Sequence, residues 1–510
     1  MMNLPTEFEV KLEVEPASLR RLNKLRLIRT LDQSPKQASQ TSVYFDTADH
    51  KLHKKGLALR VRRTGGRHVQ TIKASANSAS IERNEWENEI SGPAPDLAVI
   101  KGTPVEELLT KKIRRKLKPA FETRIRRTTY PLVNKDTAIE LTIDRGKIDS
   151  GHSSIPVCEL ELELKRGDKN RLFEIARTIE RALLAQVSLK SKAERGYELV
   201  DGCRGTPVKA VPVQLSPACN ARESFTVIGF SCLKQIIDNA PAVVKADPEG
   251  VHQMRIGVRR LRAAMSLFKE ILQDDQTATI KAELKWLTGE LTPAREFEVL
   301  TERAIAPFNE RDSRLTDGVA SFSKAITRKH KAALARAKDA VVSPRFRSLV
   351  FEVAAWLEVG AWTNPADDLV LSRGEVAIKT FAAEQLRRQS RKVRKRGRGL
   401  AELNAKKRHK LRIRVKKLRY AAEFFTGLFE VKKAVRRQKK FKSALKRLQG
   451  GLGDLNDIAV DKSLIAGVAP SRHGFAAGLL TGREEARENK AMLAAVEGHK
   501  DFLKVKYFWR

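Results

Sequence analysis

The stretch that decides the fold reads Glu7-Phe8-Glu9-Val10-Lys11-Leu12-Glu13-Val14-Glu15. Ionisable residues occupy its odd positions and apolar residues its even positions, which is the two-residue period of a β-strand. Glu7, Glu9 and Lys11 therefore lie on one face of the predicted strand. Two carboxylates beside an ammonium suit a face that holds a hard cation next to an anionic ligand. The alternative interpretation of this single motif is a solvated sheet face.

The same alternation returns through the first 200 residues of the chain. It recurs in residues 42–47, 58–62, 69–73, 83–90, 121–130, 138–144 and 158–164. Whole segments specialise in one sign of charge, with acids at 159–163 and bases at 60–62. This predicts a closed antiparallel β-barrel whose charged face lines the interior, with helices such as 171–185 on its apolar outside. Carboxylates bind Mg²⁺ or Mn²⁺ while Arg and Lys bind phosphate oxygens, so the interior is predicted to bind a metal–polyphosphate.

Composition limits the possible classes of protein. A chain of 510 residues is too long for one hydrophobic core and predicts two or three domains. The excess of 99 Lys and Arg over 61 Asp and Glu, a net charge of +38, predicts a polyanionic partner. Cys158, Cys203, Cys219 and Cys232 lack C-x-x-C spacing and predict reduced thiols without structural zinc. With acids at the N-terminus and no uninterrupted apolar stretch of about 18 residues, we expect a soluble cytoplasmic protein.

Several motifs of the first 200 residues together resemble the CYTH superfamily of triphosphate tunnel metalloenzymes, in particular its bacterial inorganic triphosphatases. The resemblance rests on E-x-E-x-K at 7–11, Y-F-D-T at 44–47, L-A-L-R-V-R at 57–62, T-I-K at 71–73, the acidic strand at 158–164 and S-K-A-E-R-G-Y at 191–197. It implies an eight-stranded tunnel over residues 1–202. It also implies an enzyme that uses Mg²⁺ or Mn²⁺ to hydrolyse inorganic triphosphate to diphosphate and phosphate.

Site roles follow from that resemblance. The implied metal ligands are Glu7, Glu9, Glu159 and Glu161. The implied catalytic residues that bind the phosphates are Lys11, Arg60, Arg62, Lys73 and Lys192. Further substrate contacts fall to Arg83 and to one of Arg124 or Arg127, because a slip of one residue reverses the face of a strand. Glu85, Asp144 and Glu163 are expected deeper or behind these residues. Relatives with adenylyl cyclase or thiamine triphosphatase activity share this constellation, but the lack of a preceding His-Phe pair favours hydrolysis.

The second half of the chain changes to a helical period. Pro and Gly mark a linker at 203–217, and helices are predicted at 224–239 and 250–272. The string at 252–262 returns at 409–419, a separation of 409 − 252 = 157 residues. This predicts an all-α domain over 218–508 with internal duplication, in repeats around 224–360 and 375–508.

Each copy of the repeated string carries a basic stripe on one helix face. The stripes are His252, Arg255, Arg259 and Arg262, and His409, Arg412, Lys416 and Arg419. Like charges at these spacings repel, so the duplicated stripe predicts a polyanionic ligand. The runs 387–398 and 432–442 are interpreted as solvated faces.

The repeats resemble the CHAD domain, a helical module that binds inorganic polyphosphate. The resemblance extends through Trp286, 295–299, 344–347, Trp356 and 452–457. The second copy has Lys416 and Lys417 in place of Arg259 and Arg260, which keeps the charge and loses bidentate geometry. Nucleic acid is the less favoured ligand because aromatic residues make up only 6% of the chain.

The sequence therefore predicts an α+β protein in which an eight-stranded β tunnel with flanking helices precedes a duplicated helical bundle. Its predicted partners are inorganic triphosphate and inorganic polyphosphate. No membrane or specific protein partner is predicted. The predicted location is the cytoplasm, with polyphosphate granules as a place of association. The alternative to the triphosphatase is a polyphosphate-binding scaffold with little turnover.

Overall fold

The computed structural model describes residues 6–29, 31, 34–74, 82–306, 316–468 and 474–509. The chain divides into two compact units. The first comprises Met1–Thr206 and Pro344–Gly360, and the second comprises Pro207–Ser343 and Ala361–Arg510. Residues 344–360, which were expected to end the first helical repeat, thus cluster with the first unit.

Among the described residues, nine antiparallel strands form the sheet of the first unit. They are β1 (Thr6–Glu13), β2 (Lys36–Asp46), β3 (Leu57–Thr64), β4 (Arg67–Ala74), β5 (Glu82–Ile90), β6 (Lys118–Val133), β7 (Ala138–Asp149), β8 (Ser154–Arg166) and β9 (Gln186–Val187). Their order is β5-β4-β3-β2-β6-β7-β8-β1-β9, and β1 also pairs with β5. That pairing closes eight strands into a ring. The predicted fold class is confirmed, with one correction: a ninth strand, two residues long, extends the sheet beside β1.

Fifteen α-helices fall within the described part of the chain. They are α1 (Arg26–Arg29), α2 (Lys111–Arg114), α3 (Lys169–Leu183), α4 (Lys192–Val200), α5 (Ala221–Asp238), α6 (Ala240–Val244), α7 (Pro248–Leu267), α8 (Asp275–Leu300), α9 (Thr316–Val342), α10 (Pro344–Val359), α11 (Asp368–Gly374), α12 (Ile378–Arg396), α13 (Ala405–Phe425), α14 (Lys432–Val468) and α15 (Gly474–Lys504). The first unit contains α1–α4 and α10, and the second unit contains the others.

Alternation along the strands separates an apolar outer face of the barrel from a charged inner face. On β3, Leu57, Leu59 and Val61 pack in a hydrophobic cluster, so Arg60 and Arg62 point to the opposite side. The charged face is the interior, because residues on strands that are not neighbours act on one another there. Arg127 of β6 is influenced by Glu9 of β1, and Arg62 of β3 by Arg127.

An apolar cluster fills one end of this interior. It consists of Tyr44, Phe121, Ile125, Ile148, Ile155, Val157 and Tyr197. Helix α4 packs so closely here that a Cβ on Gly196 would lie 2.1 Å from the Phe121 ring. The helix begins with a reciprocal capping box between Ser191 and Glu194. This packing fixes the helix that brings Lys192 to the charged interior.

Outside the barrel, α3 packs on β1, and the ring of Phe173 lies edge-on to the ring of Phe8. Helix α10 packs on α3 in turn. Arg177 of α3 donates two hydrogen bonds to Glu352 of α10, with N–O distances of 2.7 and 2.9 Å. The ring of Phe351 lies 6.2 Å from that of Phe173. This explains why α10 clusters with the barrel unit.

The second unit is all-helical, and three successive helices repeat at one interval. The helices α5, α7 and α8 begin at 221, 248 and 275, while α12, α13 and α14 begin at 378, 405 and 432. Each pair differs by 157 residues (378 − 221, 405 − 248 and 432 − 275). The internal duplication is therefore confirmed by the helix boundaries. Along the chain, α10 comes after the first copy and before the second. The segment Ala221–Val244 is long and apolar enough to cross a membrane, but it is mostly buried in this unit, as a core helix is.

A buried carboxylate ties α4 to the loop after β2. Asp46 is fully buried and accepts hydrogen bonds from the backbone N–H groups of Leu52 and His53, at 2.9 and 3.0 Å. The Tyr197 hydroxyl donates to the same carboxylate at 2.9 Å. Burial and the adjacent Asp46 carboxylate raise the pKa of Tyr197, so the hydroxyl remains a donor.

We expect Tyr197→Phe to lower the free energy of unfolding by about 1–3 kcal/mol, because it leaves a buried carboxyl oxygen without one of its hydrogen bonds. Urea denaturation followed by tryptophan fluorescence would measure the change. Tyr130→Phe, at a half-buried tyrosine of β6, is the matched control. Equal stability of the two variants would show that the hydroxyl does not anchor α4.

Candidate active site and basic cluster

Three carboxylates meet inside the barrel. Asp144 of β7 and Glu159 of β8 are paired across the sheet, and Glu161 follows two residues later on the same face. Oxygens of the three groups lie within 4.8 Å of one another. Asp144 and Glu159 are fully buried, and Glu161 is 9% exposed. We call these three residues the carboxylate triad.

Four cations from three elements, β1, β6 and α4, contact the triad. Lys192 Nζ lies 2.6 Å from Asp144 Oδ2 and 3.1 Å from Glu161 Oε1, and it also contacts Glu159. Lys11 Nζ lies 2.5 Å from Glu161. Arg127 forms two 2.7 Å hydrogen bonds with Asp144 and one of 2.8 Å with Glu161. Arg195 pairs with Glu159. Each buried carboxylate thus has at least two cationic partners.

These pairs keep Asp144 and Glu161 ionised. Burial alone would raise the pKa of Glu161, but Lys11, Lys192 and Arg127 outweigh it and hold that pKa well below its usual range. Burial likewise opposes ionisation of Asp144, and Lys192 and Arg127 lower its pKa. Ionised carboxylate oxygens are what Mg²⁺ and Mn²⁺ bind, so the donor set fits such an ion. Asp144, Glu159 and Glu161 are the residues that would hold it.

A second charged group lies on β3, β4 and β5. Arg60 pairs with Glu85 at 3.2 Å, and Lys73 contacts the same carboxylate. Arg62 is different, because its neighbour Arg60 and then burial lower its pKa to about 10. An anionic ligand would relieve this electrostatic repulsion, so a cation surrounded by other cations is stabilised by such a ligand more than one already paired with a carboxylate.

The structure distinguishes among the residues predicted for the tunnel. Arg127 faces the triad, but Arg124 lies on the opposite face of β6, is 59% exposed and pairs with Glu122. Glu163 is at the edge of the charged face and pairs with Lys165 at 2.5 Å. Glu9 Oε1 lies 3.8 Å from Lys11 Nζ. The side chains of Glu7 and Arg83 lie outside the described residues.

Two residues of this site, one a member of the triad and one a partner of it, had no direct role predicted from the sequence. Arg195 was quoted only as part of a motif, and Asp144 was expected deeper in the barrel. Arg195 follows Lys192 by three residues on α4, a spacing that places two side chains on the same helix face. That spacing is the signal that could have identified it.

In the second unit, the two predicted stripes bring together side chains of α7 and α13. Arg255 and Arg259 of α7 lie near Arg412 and Lys416 of α13, and we call these four residues the basic cluster. Burial, then Arg412 and Arg259, lower the pKa of Lys416 to about 6. Burial and then Arg259 lower the pKa of Arg255 to about 10. The buried Nε atoms of the three arginines have no hydrogen-bond partner within the described ranges.

The other stripe residues lie around this cluster. Burial and then Arg295 lower the pKa of His252 to about 4, so it is neutral at physiological pH. Arg262 is exposed and lies 3.5 Å from the Thr288 hydroxyl. Exposed His409 lies 3.1 Å from Asn456 Oδ1, and Arg419 pairs with Glu423 at 3.3 Å. Arg295 was quoted from the sequence only as part of the resemblance to the CHAD domain, without a role beside His252.

A buried carboxyl group lies on α14 near the basic cluster. Asp461 is 1% exposed, and neither of its oxygens has a hydrogen-bond partner in the described part of the chain. Its surroundings include Asp457, which lies 3.7 Å from Arg412, and the fully buried Glu484. Burial, against the lowering effect of Arg303 and Arg487 and with smaller contributions from Glu484 and Asp457, raises the pKa of Asp461 to about 7.

Asp461→Asn should stabilise the protein at pH 8 and give little gain at pH 4. A carboxyl whose pKa is raised on folding binds more protons in the folded state, so its contribution to stability is lost as the pH rises from about 4 to 7. The amide cannot ionise and avoids that loss. Thermal unfolding midpoints across this range would measure the effect, with the exposed Asp454→Asn as control. A gain independent of pH would contradict the assignment.

The fold and its sites define an α+β protein with a charge-lined β tunnel followed by a duplicated helical unit. Residues 5–197 match the model of the CYTH domain and residues 228–466 that of the CHAD domain. The chain thus combines a CYTH domain with a CHAD domain.

Known proteins resemble each part. An inorganic triphosphatase of Haemophilus influenzae is 32% identical over 162 residues, or 31% of this chain, and the match spans 45% of that relative's length. The CHAD domain from the plant Ricinus communis is 26% identical, with a TM-score of 0.50 over 58% of this chain and 96% of that one. A Hippeastrum protein whose structure revealed a dominant triphosphatase activity is 18% identical, with a TM-score of 0.30 over 38% of this chain and 95% of that one.

Proposed function

We propose that the chain is a divalent-metal-dependent inorganic triphosphatase that releases diphosphate and phosphate. The carboxylate triad carries the proposal, because it combines a hard-cation donor set with basic side chains on one interior face. The CYTH domain and the Haemophilus influenzae relative, named an inorganic triphosphatase, support triphosphatase activity at the level of the family. The four cysteines are free thiols, which fits a reducing cytoplasm.

Phosphoryl transfer to water depends on positioning and charge neutralisation more than on a reactive side chain. Arg60, Arg62 and Lys73 would bind the outer phosphate oxygens, and Arg62 would lose its repulsion with Arg60 on doing so. A bound Mg²⁺ or Mn²⁺ would supply charge neutralisation and an activated water. Lys192 contacts the same carboxylate oxygens, and its ammonium would also donate to phosphate oxygens of the substrate. Lys11 and Arg127 would keep the triad in place.

Phosphate release from inorganic triphosphate, ATP and thiamine triphosphate, with Mg²⁺ or Mn²⁺, tests the activity and its substrate. We expect inorganic triphosphate to be turned over fastest. Glu161→Gln should lower kcat/KM by at least about a hundredfold, since it removes one ligand charge and the partner of three cations. Glu122→Gln, on the outer face of β6, should leave the rate unchanged.

Three other outcomes would redirect the proposal. Faster phosphate release from ATP or thiamine triphosphate would make that compound the substrate in place of inorganic triphosphate. Equal activity of Glu161→Gln and wild type would remove the triad from catalysis. A folded protein that hydrolyses none of the three but binds polyphosphate would favour the scaffold.

We further propose that the basic cluster of the second unit binds inorganic polyphosphate. Four cations lie close together, three of their buried Nε atoms have no hydrogen-bond partner among the described residues, and burial lowers the pKa values of Arg255 and Lys416. A chain of phosphates supplies both the negative charge and the acceptor oxygens that such a cluster requires. The CHAD match is consistent with this role.

The double variant Arg259→Gln/Arg412→Gln should weaken polyphosphate binding by about tenfold or more while sparing triphosphate hydrolysis. Isothermal titration calorimetry and the phosphate-release assay measure the two properties on the same preparation. Arg436→Gln/Lys439→Gln removes the same charge from exposed positions of α14 and serves as the control. Equal binding of the two variants would exclude the basic cluster as the polyphosphate site.

A further inference from the structure

The constant interval between the two repeats permits a comparison of equivalent side chains. Arg260 of α7 corresponds to Lys417 of α13, since 260 + 157 = 417. Arg260 is 3% exposed, and its guanidinium donates to Gln235 Oε1 at 2.7 Å and to Ser231 Oγ at 3.4 Å. The first repeat therefore gives this buried cation two neutral acceptors from α5.

The second repeat replaces both acceptors with cations. The positions equivalent to Ser231 and Gln235 are Arg388 and Lys392 of α12, since 231 + 157 = 388 and 235 + 157 = 392. Lys417 thus lies near two positive side chains where Arg260 has a hydroxyl and an amide. The two repeats thus share the same pair of helices, but the cation between them has neutral neighbours in the first repeat and positively charged neighbours in the second.

Other equivalent positions strengthen the contrast. Arg414 takes the place of Gly257, since 257 + 157 = 414. Lys417 donates to the Ser266 hydroxyl, and the position equivalent to Ser266 is Glu423, since 266 + 157 = 423. Over these five positions the first repeat has one cation and no acid, whereas the second has four cations and one acid, Glu423, which pairs with Arg419. We call Arg388, Lys392, Arg414 and Lys417 the outer cation group.

The repulsion within this group shows in its electrostatics. Burial, then Arg414, Lys392 and Arg388, and finally Lys269, lower the pKa of Lys417 to about 8. Burial and then Arg388 lower that of Lys392. One carboxylate, Glu270, lies 2.6 Å from Arg388, but it also pairs with Arg373 at 3.1 Å. Among the described residues, the positive charge of the group therefore exceeds the negative charge that contacts it.

We propose that the outer cation group is a second anion-binding site, which holds phosphate groups of an inorganic polyphosphate chain and has no counterpart in the first repeat. Two ammonium and two guanidinium groups on α12 and α13 supply charge-assisted donors in several directions, as a chain of tetrahedral phosphates requires. The run 387–398, interpreted from sequence as a solvated face, contributes two of them. The proposal rests on the polyphosphate-binding function of this unit but does not involve the basic cluster.

The first repeat itself supplies the test variant. Arg388→Ser/Lys392→Gln gives Lys417 the two neutral partners that Arg260 already has, so the variant should fold with an unchanged or higher thermal unfolding midpoint. Its dissociation constant for polyphosphate should rise about tenfold or more. The slope of log affinity against log salt should fall by about two, because two phosphate contacts are lost. Triphosphate hydrolysis should be unchanged.

The control Arg436→Ser/Lys439→Gln makes the same substitutions and charge change at exposed positions of α14. Calorimetry on the full chain would compare both variants with wild type and with Arg259→Gln/Arg412→Gln. Binding by Arg388→Ser/Lys392→Gln equal to that of the control overturns this site, while a loss in the basic-cluster variant alone would leave the proposed function intact. Wild type that binds no polyphosphate removes both proposals. A larger loss for single-stranded DNA than for polyphosphate would assign the site to nucleic acid instead.

Discussion

The first unit depends on charge balance inside a closed ring of strands. Closing the barrel through β1 and β5 removes three carboxylates from water, and such burial is tolerated only when each charge has partners. Lys11, Arg127, Lys192 and Arg195 supply them from β1, β6 and α4. The position of α4, its cap and its anchor at Asp46 are therefore requirements of the interior. A site so constructed is charged before any ligand arrives, which is the preorganisation that phosphoryl transfer needs.

Strict alternation let the sequence predict which side faces the interior for most strands, and the repeated string predicted the duplication. What it could not predict depended on three-dimensional register. Arg124 and Arg127 differ by an odd number of positions, so one of them had to face outward, but composition did not say which. The two-residue β9 is too short to carry a period. The packing of α10 on α3 uses an ion pair between residues 177 and 352, a contact with no local signal.

The helical unit shows how one sequence pattern yields different environments. The stripe of α7 and that of α13 look alike in sequence, yet some members converge in the basic cluster while others lie at its edge. Helical period places a residue on a face, but neighbouring helices decide whether that face is enclosed. This is why His252 is half-buried and neutral whereas His409, its equivalent, is exposed. It is also why Asp461 could not be identified before the packing of α14 was known.

The joining of both repeats in one polypeptide has a genetic consequence. In a symmetric homodimer, one gene encodes both subunits, so a substitution that improves a site on one subunit also changes the equivalent site on the other. Here the codons for Ser231 and Arg388, or Gln235 and Lys392, can change separately. One copy can keep the neutral contacts that help the bundle fold, while the other accumulates charge at some cost in stability. Tandem fusion thus allows division of labour between halves that began as the same module.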